Sequence, residues 1–203
     1  MNPNPFSKTF TLTALNAVGY AGVALTGVGP FAIPIANKPA DGLGHQVTLQ
    51  SAANLSGINM TLLGTDANGN PCTEVLAGPN AGTATSVKHY ATLASITPAA
   101  TLGANTMGAG WNNDIVSQWY AFKSDVANFL AAIAVILSSG TATFNVEHTY
   151  DAPLSEACVS FADVTAAVAN KEFAYNSITF ATRLHVTVQN AAVLGYRIIQ
   201  GTH

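Results

Sequence analysis

Alternation of apolar and polar residues at every second position is the dominant pattern in this chain. In "GTATFNVEHTYDAP" (Gly140–Pro153), Ala142, Phe144, Val146, His148 and Tyr150 fall on one face. Thr141, Thr143, Asn145, Glu147 and Thr149 fall on the other, which is the period of a half-buried strand with one wet face. "TRLHVTVQN" (Thr182–Asn190) alternates in the same way, with Leu184, Val186 and Val188 opposed by His185, Thr187 and Gln189. "HQVTLQSA", "INMTLLGT", "CTEVLAG" and "SVKHYATLASIT" predict further strands, the last bent near Ala91. "VLGYRIIQG" predicts a final strand with Gly195 at a bulge.

Between Asp114 and Leu137 the pattern is ambiguous. Trp119, Phe122, Val126, Phe129, Leu130, Ile133 and Leu137 follow helical spacing. The same residues from Leu130 onward also read as a strand, joined by a Ser138-Ser139-Gly140 turn to the strand that follows, and the hairpin reading is favoured. A short helix is expected in the Ala-rich "FADVTAAVANKEF" (Phe161–Phe173).

Short strands punctuated by Gly, Asn and Pro predict an all-β protein of one or two antiparallel β-sandwich units, jelly-roll or Ig-like. The glycine-rich "MGAGWNN" (Met107–Asn113) suggests a boundary, giving a sandwich over 11–108 and a second β-rich unit over 109–203, with a shared core as the alternative. Residues 1–10, with Pro3 and Pro5 ahead of any periodic signal, read as an extended arm suited to reaching a neighbouring subunit.

Composition narrows the function. Only 8% of the 203 residues are charged, against roughly 25% in ordinary soluble domains. The seven basic residues are scattered singly and the net charge is −3, so no basic patch for nucleic acid is expected. The most apolar run, "FLAAIAVILSSG", is shorter than the roughly 20 residues a membrane helix needs, and neither a membrane role nor a secretion signal is expected. Charge is depleted at the centres of protein interfaces, so this composition suits packing against other protein. Cys72 and Cys158 are expected to be reduced thiols.

The stretch "GTDANGNPCTEVLAG" raises the question of a cation site. Asp66, Asn68, Asn70 and Glu74 match a calcium loop in outline, but Gly69 comes too early and Glu74 too soon. Asn68-Gly69 is instead a strong hairpin signal, with Glu74 facing solvent on the returning strand. The five histidines lack zinc spacing; His148 is expected at the core edge, bonded to backbone, and His185 in solvent. No nucleophile elbow, phosphate loop or nominated carboxylate pair occurs, so no enzyme, catalytic residue, metal or cofactor is expected. Asn2, Pro3, Pro5, Phe6, Trp111 and Trp119 are the candidate partner-binding residues. The two tryptophans are expected to fill a seam between the units, with stacking on a sugar as the alternative.

The ordered series "INMTLLGTDANGNPCTEVLAGPNAGTATSVKHYATLASITP", "SSGTATFNVEHTYDAP" and "ITFATRLHVTVQN…GYRIIQG" resembles small structural proteins of tailed bacteriophages, over Asn54 to Gly201. The resemblance implies a β-sandwich and a place in the virion, with no catalytic residues to carry over. It implies a capsid decoration (cement) protein, homo-oligomeric and as a trimer in one version, bound to the major capsid protein or other virion proteins. The alternatives are a neck or tail ring or tube component, and a receptor- or carbohydrate-binding module.

Overall fold

A computed structural model describes residues 4–123, 130–176 and 179–201, and the side chains of all of these except Asn4 and Pro5. The described residues form an all-β protein of antiparallel strands, without a helix. In chain order the strands are β1 (Asn4–Thr11), β2 (Leu25–Thr26), β3 (Phe31–Ala32), β4 (Gly44–Asn54), β5 (Asn59–Thr65), β6 (Pro71–Ala77) and β7 (Asn80–Tyr90). They continue as β8 (Thr92–Pro98), β9 (Thr106–Val116), β10 (Tyr120–Ala121), β11 (Leu130–Thr149), β12 (Phe161–Ala167), β13 (Lys171–Tyr175) and β14 (Ala181–Gly201).

The chain divides into two compact units, one of Leu15–Val116 and one of Met1–Ala14 with Ser117–His203. The boundary therefore falls at Val116–Ser117 rather than at 108–109, and the N-terminal residues belong with the C-terminal half. "MGAGWNN" lies inside strand β9. Its glycines are demanded by close packing, because Asn16 and Trp111 exchange backbone hydrogen bonds of 3.0 and 2.9 Å. A side chain at Gly110 would fall on the Asn16 carbonyl. The segment read as a free arm is strand β1, paired along β14 of its own chain from Asn4↔Gln200 to Thr11↔Val193.

In the unit Leu15–Val116, β9, β4 and β7 form one sheet, with β2 on the first residues of β9. The order β3–β8–β5–β6 makes a second sheet. Alternate residues of both sheets, among them Val47, Leu49, Met60, Leu62, Leu93 and Ile96, share one apolar core. Each such side chain stabilises the fold by about 1.5–3 kcal/mol relative to exposure. The bend expected near Ala91 is the point where the chain leaves β7 in one sheet and enters β8 in the other. Glu74, expected in solvent, instead accepts hydrogen bonds from the N–H groups of Val87 (2.8 Å) and Lys88 (2.9 Å). It clasps the two sheets where no strand pairing joins them.

The turn between β5 and β6 answers the question its sequence raised. The Asp66 carboxylate is buried and accepts from Asn68 N (2.9 Å), Asn70 N (2.8 Å) and Asn70 Nδ2 (3.3 Å). Its oxygens organise the turn itself, as an Asx residue does. Only Gly69, at φ +84°, needs the left-handed conformation.

The other unit is built on two very long strands. β11 and β14 pair from Leu130↔Gly201 to Thr149↔Ala181. Ser138-Ser139-Gly140 is therefore no hairpin turn: one strand runs straight through it. The register slips there and opposite, between Val193 and Asn190, so the bulge lies at Ala191–Ala192 rather than at Gly195. Thr182 and Tyr196 stand 14 positions apart on β14, ~46 Å if the strand were straight. Their hydroxyls are nevertheless 2.8 Å apart. The sheet has folded over on itself, with Ser139–Gly140 and Ala191 as the corner, the device by which strands switch layers of a sandwich.

The Ala-rich segment expected to be helical is β12 and β13, laid along the outer edge of β11 on either side of the corner. Pairing to that edge outweighs the helix propensity of alanine. From Asp114 to Leu137 the described residues are strand and loop, and 124–129 lie outside the described residues.

Gly140 has φ +70°, and a side chain there would fall on the carbonyl of Ala191. Gly140→Ala is expected to cost on the order of 2 kcal/mol or more in urea unfolding. Gly195→Ala, where the added carbon meets Ile136 at an ordinary 3.7 Å, should change stability by less than about 1 kcal/mol. Equal effects would argue against the corner as the point of constraint.

Candidate functional site

Folding the sheet brings β13 on one layer against β11 and β12 on the other. Tyr175 of β13 pairs in its own layer with Ala131, yet its ring lies 5.8 Å from that of His148. Its hydroxyl donates to Asp163 Oδ2 in a short hydrogen bond. The other oxygen of Asp163 accepts from His148 Nδ1 at 2.7 Å. Burial pushes the Tyr175 phenol well above its ordinary pKa, and its bond to Asp163 pushes it further. It therefore acts as a fixed donor. With Nδ1 donating, a neutral His148 ring carries its lone pair on Nε2, which has no hydrogen bond among the described residues.

Aromatic rings surround this histidine. Phe161, directly across from it on β12, stacks at 5.4 Å and 23°, while Tyr150 meets it edge-on at 5.1 Å. Tyr150 is 57% exposed and Phe161 47%, and their own rings are 5.8 Å apart. The period-two pattern explains the convergence. His148 and Tyr150 are two apart, as are Phe161 and Asp163, so each pair projects to one side of its strand.

Tyr150 and Phe161 stand at opposite ends of the loop joining β11 to β12, and a buried charge network pins that loop. Arg183 Nε donates to Glu147 Oε2 at 2.8 Å, and Nη1 donates to Glu156 Oε2, in the loop, at 3.1 Å. The guanidinium lies 4.4 Å from the centre of the Trp119 ring, whose Nε1 donates to the carbonyl of Ser155, also in the loop, at 3.0 Å. His185 Nδ1 is 2.7 Å from Glu147 Oε1. Burial alone would raise the Glu147 pKa. The His185 hydrogen bond, with the charges of Arg183 and His185, outweighs burial and holds the carboxyl at about 2.

Several sequence expectations need correction here. Glu147 and Thr149, assigned to a wet face, are buried. His148 and His185, expected against backbone and in solvent, are each held by a carboxylate. Trp111 is buried in the core of its unit, edge-on to Tyr20 at 5.1 Å, and Trp119 is buried against Arg183, so neither presents a surface to a partner or a sugar. Phe6 is half-buried with its ring 4.4 Å from that of Tyr120. Pro5 pairs with Ile199 in β1, while Asn2 and Pro3 lie outside the described residues. Asp163 and Tyr175 were not anticipated from the sequence, because β12 was expected to be helical and only the corner brings Tyr175 to His148. Both cysteines are free thiols.

No protein-family model matches this chain, and no curated protein matches it significantly.

Glu147 titrates at about 2 when folded, against 4.5 as its ordinary value, so its pairing stabilises the fold fully above about pH 4.5. That contribution, about 3 kcal/mol at most, is lost as pH falls from 4.5 towards 2. Glu147→Gln should therefore be less stable at pH 7 and show a shallower loss of stability over that window. Parallel curves for variant and wild type, from urea unfolding at successive pH values, would count against this network.

Proposed function

We propose that this chain is a non-enzymatic structural protein of a tailed-bacteriophage particle, a capsid decoration protein that docks on the head lattice. The observation that carries the reading is the outward face of the sheet β3–β8–β5–β6. Thr61, Thr65, Thr73 and Thr97 surround Leu63 and Val75 there, and the outward positions of β5, β6 and β8 hold no charged residue. Leu63 is 46% and Val75 59% exposed. An uncharged face of short side chains costs little desolvation when covered, and interface centres are depleted in charge for that reason. Repetition on a lattice multiplies modest contacts through effective concentration, so no single site needs high affinity. The major capsid protein is the partner proposed, with the chain itself homo-oligomeric, for instance as a trimer.

Quantitative mass spectrometry of purified particles tests this. Decoration requires on the order of hundreds of copies per particle, whereas about six or twelve would place the chain in a neck or tail ring. Its absence from intact particles would sink both. Val75→Glu should abolish incorporation while leaving the melting temperature within a few degrees of wild type, about the shift expected of an exposed substitution.

A further inference from the structure

We infer that the exposed aromatic cluster around His148 is a binding site for a sugar ring, a feature independent of any place in a particle. Three observations converge on it. Tyr150 and Phe161 expose about half of their surfaces to solvent side by side, although the same unit buries Phe10, Phe144 and Tyr196 almost completely. A polar atom stands among these rings, since His148 stacks on Phe161 and its Nε2 has no hydrogen bond among the described residues. The histidine is also locked, because Asp163 holds Nδ1 and Tyr175 holds the far oxygen of Asp163.

The chemistry of the cluster selects the ligand. Aromatic faces attract an apolar surface, and a fixed ring nitrogen beside them exchanges a hydrogen bond with a hydroxyl. A pyranose presents both at once, one face of axial C–H groups and a rim of hydroxyls. The carboxylate is occupied by its two donors, so a cationic ligand has no free anionic group in the cluster to pair with. Pre-organisation supports binding too: Glu156 and Ser155 anchor the loop between Tyr150 and Phe161 through Arg183 and Trp119, so little loop entropy is lost when a ligand arrives.

Saturation-transfer NMR on the full chain, with a panel of methyl pyranosides of glucose, galactose, mannose and N-acetylglucosamine, is the test. Transfer is expected to the ring C–H protons of at least one glycoside, weakened at least about tenfold in apparent affinity by Tyr150→Ala and by Phe161→Leu. Both variants should melt close to wild type, since the two side chains are exposed. His148→Gln should weaken binding while leaving transfer to the ring protons detectable. Absence of transfer to every glycoside, or transfer unchanged in both aromatic variants, would overturn the inference. Binding of N-acetyl-tyrosinamide without any glycoside would overturn it as well, by showing a site for aromatic side chains.

Discussion

A paired ladder of about 20 residues cannot bury its faces while it stays straight, and the unit built on β11 and β14 follows from that constraint. Along one face of the ladder, Phe144, Val146, Leu184 and Val186 occupy one half, and Ile133, Val135, Leu194 and Ile198 the other. Laid flat, both rows would meet water. Folding at Ser139–Gly140 and Ala191 turns each row onto the other, and all eight residues are buried. The register shifts at the corner and once more between Thr143 and Phe144, yet the ladder runs on to both ends, so the sandwich forms without breaking either strand. Thr182 marks the closure, since its hydroxyl bonds both the Glu147 carbonyl and the Tyr196 hydroxyl.

The His148 cluster is a consequence of the same fold. Asp163 could not be held from both sides unless β13 crossed back over β12, because Tyr175 is paired near the opposite end of β11. Polar groups buried between layers are costly unless bonded, and here they satisfy one another. What remains outside that closed set is the edge of the cluster: the half-exposed rings of Tyr150 and Phe161 and one histidine nitrogen.

Strands were legible in the sequence because their signal is local. Two-residue alternation at Thr141–Thr149 or Thr182–Asn190 reflects a property of adjacent side chains, and the structure has strands there. Corners and boundaries were not legible, since glycine marks them for reasons that lie elsewhere in the chain. Gly110 is small because Asn16 runs against it, and Gly140 because the Ala191 carbonyl does, yet both read as punctuation. Glu147 was misplaced for a related reason. Alternation assigns a residue to a face, but whether that face is wet depends on Arg183 across the ladder and on the loop above it. The partners of His148 were equally hidden: Asp163 is 15 positions away on the strand paired beside it, and Tyr175 is 27 positions away on a strand that only the corner brings close.

Scarcity of charge takes on a different meaning in this light. Of the nine carboxylates among the described residues, eight, Asp41, Asp66, Glu74, Asp114, Glu147, Asp151, Glu156 and Asp163, bond to a histidine, an arginine or a backbone N–H group. The side chains of Asp41 and His45 are completely buried, and the second ring nitrogen of His45 meets the Asn112 carbonyl at 2.9 Å. Such bonds are about twice as strong as neutral ones, and several sit where backbone pairing fails: a turn at Asp66, a gap between sheets at Glu74, a long loop at Asp151 and Glu156. Charge in this chain is therefore an internal fastener. A protein that uses its carboxylates to close its own irregularities has few left for its exterior, which leaves sheet faces of threonine, serine and small apolar residues. Such faces are cheap to desolvate, so fastening the fold from within and presenting an uncharged exterior are two results of one distribution of charge.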